Sequence, residues 1–401
     1  MKKGQIQIVV ALVFFVMISI SSYSSSAEVG VTETEIIIGT SMPLTGSMAW
    51  IGNQNTRGLT CMINEINEKG GIYGRKIKHI VMDDAYVSPQ AVANARRMIE
   101  KDQVFCFIMN TGTHTIASIV PILNQYKVPL YGAGTNAKMF SNHPLIFLHP
   151  ATYRHSCIQS IRYMMKEKGR KRIAMFYTDH QLGYEYLDAA KEYLKAIGKE
   201  LVAEEKCKEA DFDMSSQALK LKKSEADCVV VGATIGTSVK IIKAMHQIGY
   251  YPEIIGTMML GNPGFIEVTG KDSEGVFMTL TSPALTSRAL DPYRELGKKY
   301  FPDKPFDNFM SAGMAQAYVF AEGLRRAGKD LTREKFIKAI ETINNKDFPI
   351  PFYEGANFYF APKKHNGTSS VIIGQVIKGQ IEQVTNWIDW KDMPVPEAAE
   401  N

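Results

Sequence analysis

Apolar positions alternate along the chain between two textures. Short runs at Glu35–Ser41, Ile77–Asp83, Val104–Met109 and Val128–Tyr131 are dense in apolar and β-branched residues and read as buried strands. Between them, stretches near Thr56–Glu68, Pro89–Lys101 and Thr113–Tyr126 carry apolar residues at helical spacing. In the first of these, Leu59, Met62, Ile63 and Ile66 form one stripe, and Gly70-Gly71 stops it. Pro121 predicts a kink or an early end in the third. A second round follows. It places strands at Arg172–Tyr177, Glu200–Cys207, Cys228–Val231, Ile254–Gly256 and Gly275–Leu280, and helices near His155–Lys168, Tyr184–Ile197, Met214–Ser224 and Thr237–Gly249. Such alternation builds βαβ units and parallel sheets, so two rounds predict an α/β chain of two doubly wound lobes.

After Leu280 the pattern changes. Helices near Asp307–Ala327 and Thr332–Thr342 precede strands near Asn357–Phe360 and Ser370–Lys378. The expected organisation is a first lobe from 28–149, a second from 150–280, a return to the first over 281–357, and a return to the second over 358–401. The last portion includes the tail with Trp387 and Trp390. Crossings near Leu148–Ala151, Met278–Ser282 and Asn357–Ala361 would form a three-strand hinge, stiffer than one linker yet able to bend.

Residues 1–27 read as a cleavable export leader. Lys2 and Lys3 precede an apolar run, Ile6–Ile20, and Ser25-Ser26-Ala27 supplies the small residues of a cleavage site. That run is about 15 residues, short of the roughly 20 that span a bilayer. The remaining ~374 residues exceed one ordinary core and suit two domains. Loss of the two leader lysines takes the formal charge from +5 to +3, nearly neutral for this length, which argues against a nucleic-acid partner. The one basic run, Lys166–Arg172, lies between a helix and a strand and reads as a solvated turn. Five cysteines leave at least one unpaired. Cys61, Cys106 and Cys228 lie in apolar segments, as buried small hydrophobes do; for any disulfide, the pairing stays open.

The block at 37–84 holds a strand, a Pro-Leu-Thr-Gly loop, an amphipathic helix stopped at Gly70-Gly71, and a second strand closing on Asp83-Asp84. With MNTGTHTIAS (109–118), YGAGTNA (131–137) and the lobe pattern, it resembles the periplasmic leucine/isoleucine/valine-binding proteins. These are the branched-chain amino-acid branch of the type I solute-binding proteins that serve ABC importers. The resemblance covers nearly the whole chain after the leader. It implies a monomer, without cofactor, that traps a small carboxylate between its lobes and presents it to an ABC permease in the inner membrane. By the same resemblance the carboxylate falls to Thr111, with Ala133 and Thr135 completing the cradle. The residues agree: Thr111-Gly112-Thr113 follows a strand and opens a helix, and Gly132-Ala133-Gly134-Thr135 is expected to do the same on the next strand, offering backbone N–H groups.

The chain also departs from that family. Where amino-acid binders place a second-lobe acid against the ligand's ammonium, this sequence has Met258, followed by Met259. Cleft-facing aromatics of the family fall near Leu182 and Thr234, and its first-lobe wall falls on Trp50 and Ile51. An ammonium among methionine, leucine and threonine loses its charge partner. The expected ligand is therefore an aromatic or aliphatic acid or a hydrophobic amino acid, with Asp179 or Glu185 as substitutes for the missing acid. His114 lies one turn into the carboxylate-binding helix.

Other signals are weaker. Gly132–Ala137 matches G-x-G-x-x-A, but on the fourth strand and without an acid within the next ~20 residues that a ribose needs. Gly264–Lys271 lacks the spacing and the Ser/Thr of a phosphate loop. The sequence holds no H-E-x-x-H, G-x-S-x-G or paired-cysteine metal motif, and its eight histidines are scattered. Asp83-Asp84 reads as a backbone anchor rather than an acid/base pair. An extracellular sensing module is the alternative function; an enzyme on this scaffold is the least favoured.

Overall fold

The computed structural model describes residues 28–46, 48–390 and 393–395, so the leader expected at 1–27 lies outside the described residues. Two sheets organise the chain. In the first lobe β1 (Glu35–Met42), β2 (Lys76–Asp83), β3 (Cys106–Ile108) and β4 (Leu130–Tyr131) lie in the order β2-β1-β3-β4, all parallel. They alternate with α1 (Ala49–Glu68), α2 (Ser88–Glu100) and α3 (Thr113–Tyr126). The second lobe starts with α4 (Tyr153–Lys166) and continues β5 (Ile173–Thr178), α5 (Gln181–Ala196), β6 (Ala203–Cys207), α6 (Ser215–Lys223), β7 (Cys228–Gly232), α7 (Ile235–Gln247), β8 (Glu253–Gly256), α8 (Pro263–Thr269) and β9 (Phe277–Leu280). After α9 (Asp291–Tyr300), α10 (Asn308–Ala327) and α11 (Arg333–Ile340), the hairpin β10 (Ile372–Ile377) and β11 (Gln380–Gln383) completes a seven-stranded sheet ordered β11-β10-β9-β8-β7-β5-β6. The pairs among β5 to β9 are parallel; β10 and β11 join antiparallel. β7 is buried at every position, as expected of a strand covered on both faces.

α10 returns to the first lobe and packs on α1, with Met310, Met314 and Phe320 in one core with Ile38, Leu59 and Ile108. Backbone contact makes this possible: a Cβ on Gly313 would stand 2.2 Å from the Asn55 carbonyl oxygen, and one on Gly58 2.1 Å from that of Met310. Only glycines allow the two helices so close.

Several expectations need correction. α1 begins at Ala49 rather than near Thr56, because Gly52 lets its first turn lie against the Pro43 carbonyl, where a Cβ would meet the oxygen at 2.0 Å. α3 runs through Pro121 to Tyr126. No strand forms at 357–360: Tyr359 makes only an isolated bridge to Asn344, and Phe358 and Phe360 are buried in the first lobe's core. Their rings pack on Tyr353 and Phe147, with centroids 4.6 and 5.5 Å apart. The third crossing accordingly comes later than Asn357–Ala361. Gly367 N donates to Leu148 O at 2.8 Å and Leu148 N to His365 O at 2.7 Å, which seats this crossing beside the first. α8, α9 and β11 were not anticipated. In the tail, Trp390 packs edge-on against His155 of α4, whereas Trp387 donates from Nε1 to Glu354 O.

Cys61, Cys106, Cys157, Cys207 and Cys228 are all buried and unpaired. Burial pushes the thiols of Cys61 and Cys207 up to about 12, and those of the other three higher still. No helix among the described residues is long and apolar enough to cross a membrane.

Candidate functional site

The Pro-Leu-Thr-Gly loop after β1 is pinned by the acid pair that ends β2. Asp83 accepts from the amides of Leu44, Thr45 and Ala85 and from the Thr45 hydroxyl. Partial burial works to raise its pKa, but these bonds outweigh it and hold the carboxyl below the ordinary carboxylate range. Asp84 accepts from Ser41 Oγ and Tyr86 N; its burial prevails and raises its pKa. Both acids are therefore engaged with the loops around the cleft, the anchoring role expected for them.

Beside this frame a cavity of about 140 Å³ opens between the lobes. Its floor is the end of β3 and the start of α3. Thr111 bridges to Gly134 on the next crossing of the sheet, and Gly134 has room for no side chain: a Cβ would lie 2.3 Å from Thr111 Oγ1. Gly112, at φ 111°, caps α3 without a side chain, which leaves the amides of Thr113, His114 and Thr115 without intrahelical acceptors. Thr113 Oγ1 and Thr135 Oγ1 stand 2.8 Å apart. The phenol of Tyr153, the first residue of α4, lies beside them in the lining. Burial, helped by the charge of Glu185 and opposed by those two hydroxyls, pushes that phenol up to about 12, so it keeps its proton.

The backbone part of the expected cradle is different. Gly112 N donates to Gly134 O, Ala133 N to Phe147 O, Gly134 N to Asn110 O and Thr135 N to Ala133 O. The chain opens no α-helix after Thr135, only a single 3-10 turn at Lys138–Phe140, so these amides are spent on holding the sheet's edge. The donors the floor can offer are hydroxyls (Thr111, Thr113, Thr135, Tyr153) and the first-turn amides of α3.

Of the other expected site residues, Ile51, Met258 and Met259 line the cavity along with Thr111, Gly112, Ala133, Gly134 and Thr135. Met258 and Met259 sit in a 3-10 turn whose start is capped by Thr257 Oγ1. Trp50, Leu182 and Thr234 do not line it. Trp50 is 52% exposed and points its Nε1 to Asp307 Oδ2 at 3.1 Å. Leu182 is buried in the second lobe's core, and Thr234 sits at the start of α7. The second lobe reaches the cavity through Met258, Met259 and Tyr153 instead. His114 bonds instead to Tyr86 O, at 3.0 Å. Glu185 accepts from Lys138 N and Asp179 from Tyr184, so neither substitute acid reaches the cavity.

Sequence reasoning missed the third wall, which α10 supplies through Asn308, Ser311, Ala312, Ala315 and Gln316, together with Asn55 of α1. Small and polar residues at i, i+1, i+4 and i+5 on a helix otherwise apolar were the available signal. Asn308 also joins the lobes, accepting from Asn262 Nδ2 at 2.7 Å. Among the described residues, no Asp, Glu, Lys, Arg or His lines the cavity, and no group of three or more His, Cys, Asp or Glu is arranged to hold a metal.

Residues 35–380 match the family model described as periplasmic binding protein. The chain is 28% identical over 249 residues to Leu/Ile/Val-binding protein homolog 7 of Brucella abortus, a match covering 60% of this chain and 62% of that relative's length. A fatty acid ABC transporter substrate-binding protein from Thermomonospora curvata has a similar fold, with a TM-score of 0.81 at 22% identity over 92% of this chain and 97% of the other. So does a branched-chain amino acid ABC transporter protein from Thermus thermophilus with bound valine, with a TM-score of 0.79 at 19% identity over 90% and 97% of the two chains. With its two lobes, interlobe cavity and a family match over most of its length, the chain belongs to the periplasmic binding protein family.

Proposed function

We propose that this protein captures a small carboxylate in the interlobe cavity and delivers it to an ABC permease, acting as a monomer in the periplasm. The observation that carries the reading is a floor of hydroxyls and first-turn helix amides in a cavity lined, among the described residues, by no charged side chain. Neutral donors favour an anion, because hydrogen bonds to a charged acceptor are about twice as strong as neutral ones. The acceptor is a carboxylate held by Thr111, Thr113, Thr135 and Tyr153, with Met258, Met259 and Ile51 against the ligand's body.

The same absence of charge sets the ligand class. An ammonium buried here finds no carboxylate, a deficit of several kcal/mol. Neighbours described as binding valine and as serving fatty acid transport mark the two ligand classes to compare. The reading favours an aliphatic or aromatic acid without ammonium. Its test is a thermal-shift and calorimetric screen of hydrophobic amino acids against their ammonium-free analogues. Stabilisation by the acids supports the reading; stabilisation by leucine or valine alone overturns the ligand class, and no response to any carboxylate overturns the capture role.

A further inference from the structure

Next to the anion-binding floor lies a second cavity, larger than the first at about 360 Å³. It sits between α8, the segment leaving β9 and the β10–β11 turn, and its walls are mainly aliphatic: Ile266, Leu280, Pro283, Leu285 and Ile381. The two cavities share Met258, Thr281, Ser282 and Asn308, so they adjoin along these residues. Asp, Glu, Lys, Arg and His are absent from the second lining too, among the described residues.

We infer that the two spaces are chambers of one binding site, and that the ligand is a carboxylate whose aliphatic tail passes Met258 into the second. This rests on the reading above, since the carboxylate is fixed on the first chamber's floor. Three features support the direction of the tail. The junction carries a methionine, unbranched and with three rotatable bonds, which can swing aside without leaving a fixed void. On the opposite side of the junction, Asn308 accepts from Asn262 of the other lobe, so closure fixes that side. The far wall is tightly packed: Leu280 is wedged where Cβ atoms on Gly261 and Gly374 would come within 2.6 and 2.9 Å of its methyl groups. A chamber lined in this way gains from apolar surface, and its polar groups, Thr281, Ser282, Thr286, Asn308 and Gln380, are all neutral, so it holds no counter-charge for an amine or a phosphate.

The test is calorimetric titration of the full exported chain with straight-chain carboxylates from four to fourteen carbons. Burial of successive methylenes predicts an affinity gain of about fourfold per carbon until the second chamber is full. Ala284→Trp, which fills that chamber from the β9 side, should then weaken the long acids at least tenfold and leave the four-carbon acid within twofold. Ile381→Trp, on the opposite wall, is the companion variant, and a thermal melt of each verifies folding. If short acids bind but affinity does not rise with length, or if both folded variants bind long acids as the wild type does, the second chamber is not part of the site. Failure of every acid, short and long, overturns the carboxylate reading itself and the chamber with it.

Discussion

Asn262 and Asn308 join the two lobes through a single side-chain hydrogen bond of 2.7 Å, Nδ2 donating to Oδ1. Asn262 is engaged at both ends, for its own Oδ1 accepts from Gly264 N at the start of α8. Helix capping and lobe contact thus depend on different atoms of one amide.

Asn262→Asp separates these roles. The carboxylate keeps the acceptor that caps α8 but loses the donor, and it faces Asp307, whose Oδ2 lies 3.4 Å from Asn262 Nδ2 in the native arrangement. Losing the interlobe hydrogen bond, worth ~0.5–1.5 kcal/mol, predicts ligand affinity reduced at least two- to tenfold, and a second buried carboxylate beside Asp307 should lower the melting temperature as well. Calorimetry checks the affinity, and small-angle scattering should report a larger radius in the ligand-free variant. An unchanged radius and affinity would remove Asn262 from lobe closure.

Thr111→Val should cut carboxylate affinity by tenfold or more, since a hydrogen bond to a charged group is worth ~1.5–3 kcal/mol. The loss to folding is smaller, because Thr111 Oγ1 donates only a long 3.2 Å bond, to Met109 O. Gly134→Ala reaches the same hydroxyl by a different route, its methyl displacing Thr111 Oγ1. Both variants should lose binding; Thr111→Val should melt near the wild type, whereas Gly134→Ala, which also crowds the Thr111 and Asn110 backbone, should melt lower. Full binding by either one counts against Thr111 as a ligand group.

Met258→Glu introduces an acid into the lining of the cavity, at the position expected from the resemblance to amino-acid binders to face an ammonium. Leucine should gain at least tenfold over 4-methylpentanoate, its ammonium-free analogue, in the ratio of dissociation constants. Competition calorimetry with the two ligands measures that ratio directly, and a ratio unmoved by the substitution would dissociate Met258 from the ligand's α-carbon.

His149, in the first crossing between lobes, is fully buried, and its Nε2 is 2.5 Å from the Tyr131 hydroxyl. Burial pushes its pKa down to about 3. The folded protein therefore keeps this imidazole neutral while the unfolded chain takes up a proton below the usual histidine range near 6.5. Its contribution is complete above that range and is lost as pH falls from 6.5 toward 3, about 2 kcal/mol by pH 5. His149→Phe should be less stable at pH 7.5 and flatter between pH 6.5 and 4.5 in denaturant titrations; a parallel pH slope would refute the assignment.

The strands and helices of both lobes were legible because buried parallel strands leave dense apolar runs and the helices between them keep one apolar stripe. Legibility failed where tertiary contact overrode local preference. Gly52, Asn53 and Asn55 discourage a helix, yet α1 begins at Ala49 because the Pro43 loop packs against the missing side chain of Gly52. Phe358 and Phe360 have the texture of a strand but are held by ring contacts instead of a ladder. At the site, the floor from Thr111 to Thr135 could be read, since a strand end with glycines and hydroxyls is a local pattern. Tyr153, Asn308 and Gln316 come from elements far apart in sequence, and only the fold brings them to that floor. The amides of Ala133, Gly134 and Thr135 were misjudged for the same reason: Phe147 and Asn110, which occupy two of them, are remote neighbours.

The five buried thiols give the chain a race to win. Once packed they are protonated and out of reach, so the native state is indifferent to an oxidising compartment. Before packing, each is an ordinary exposed thiol, and any of several mismatched cross-links would trap the chain short of its two sheets. In an oxidising compartment, collapse of both lobes has to outrun the oxidant, and a slow-folding variant is exposed to cross-linking for longer.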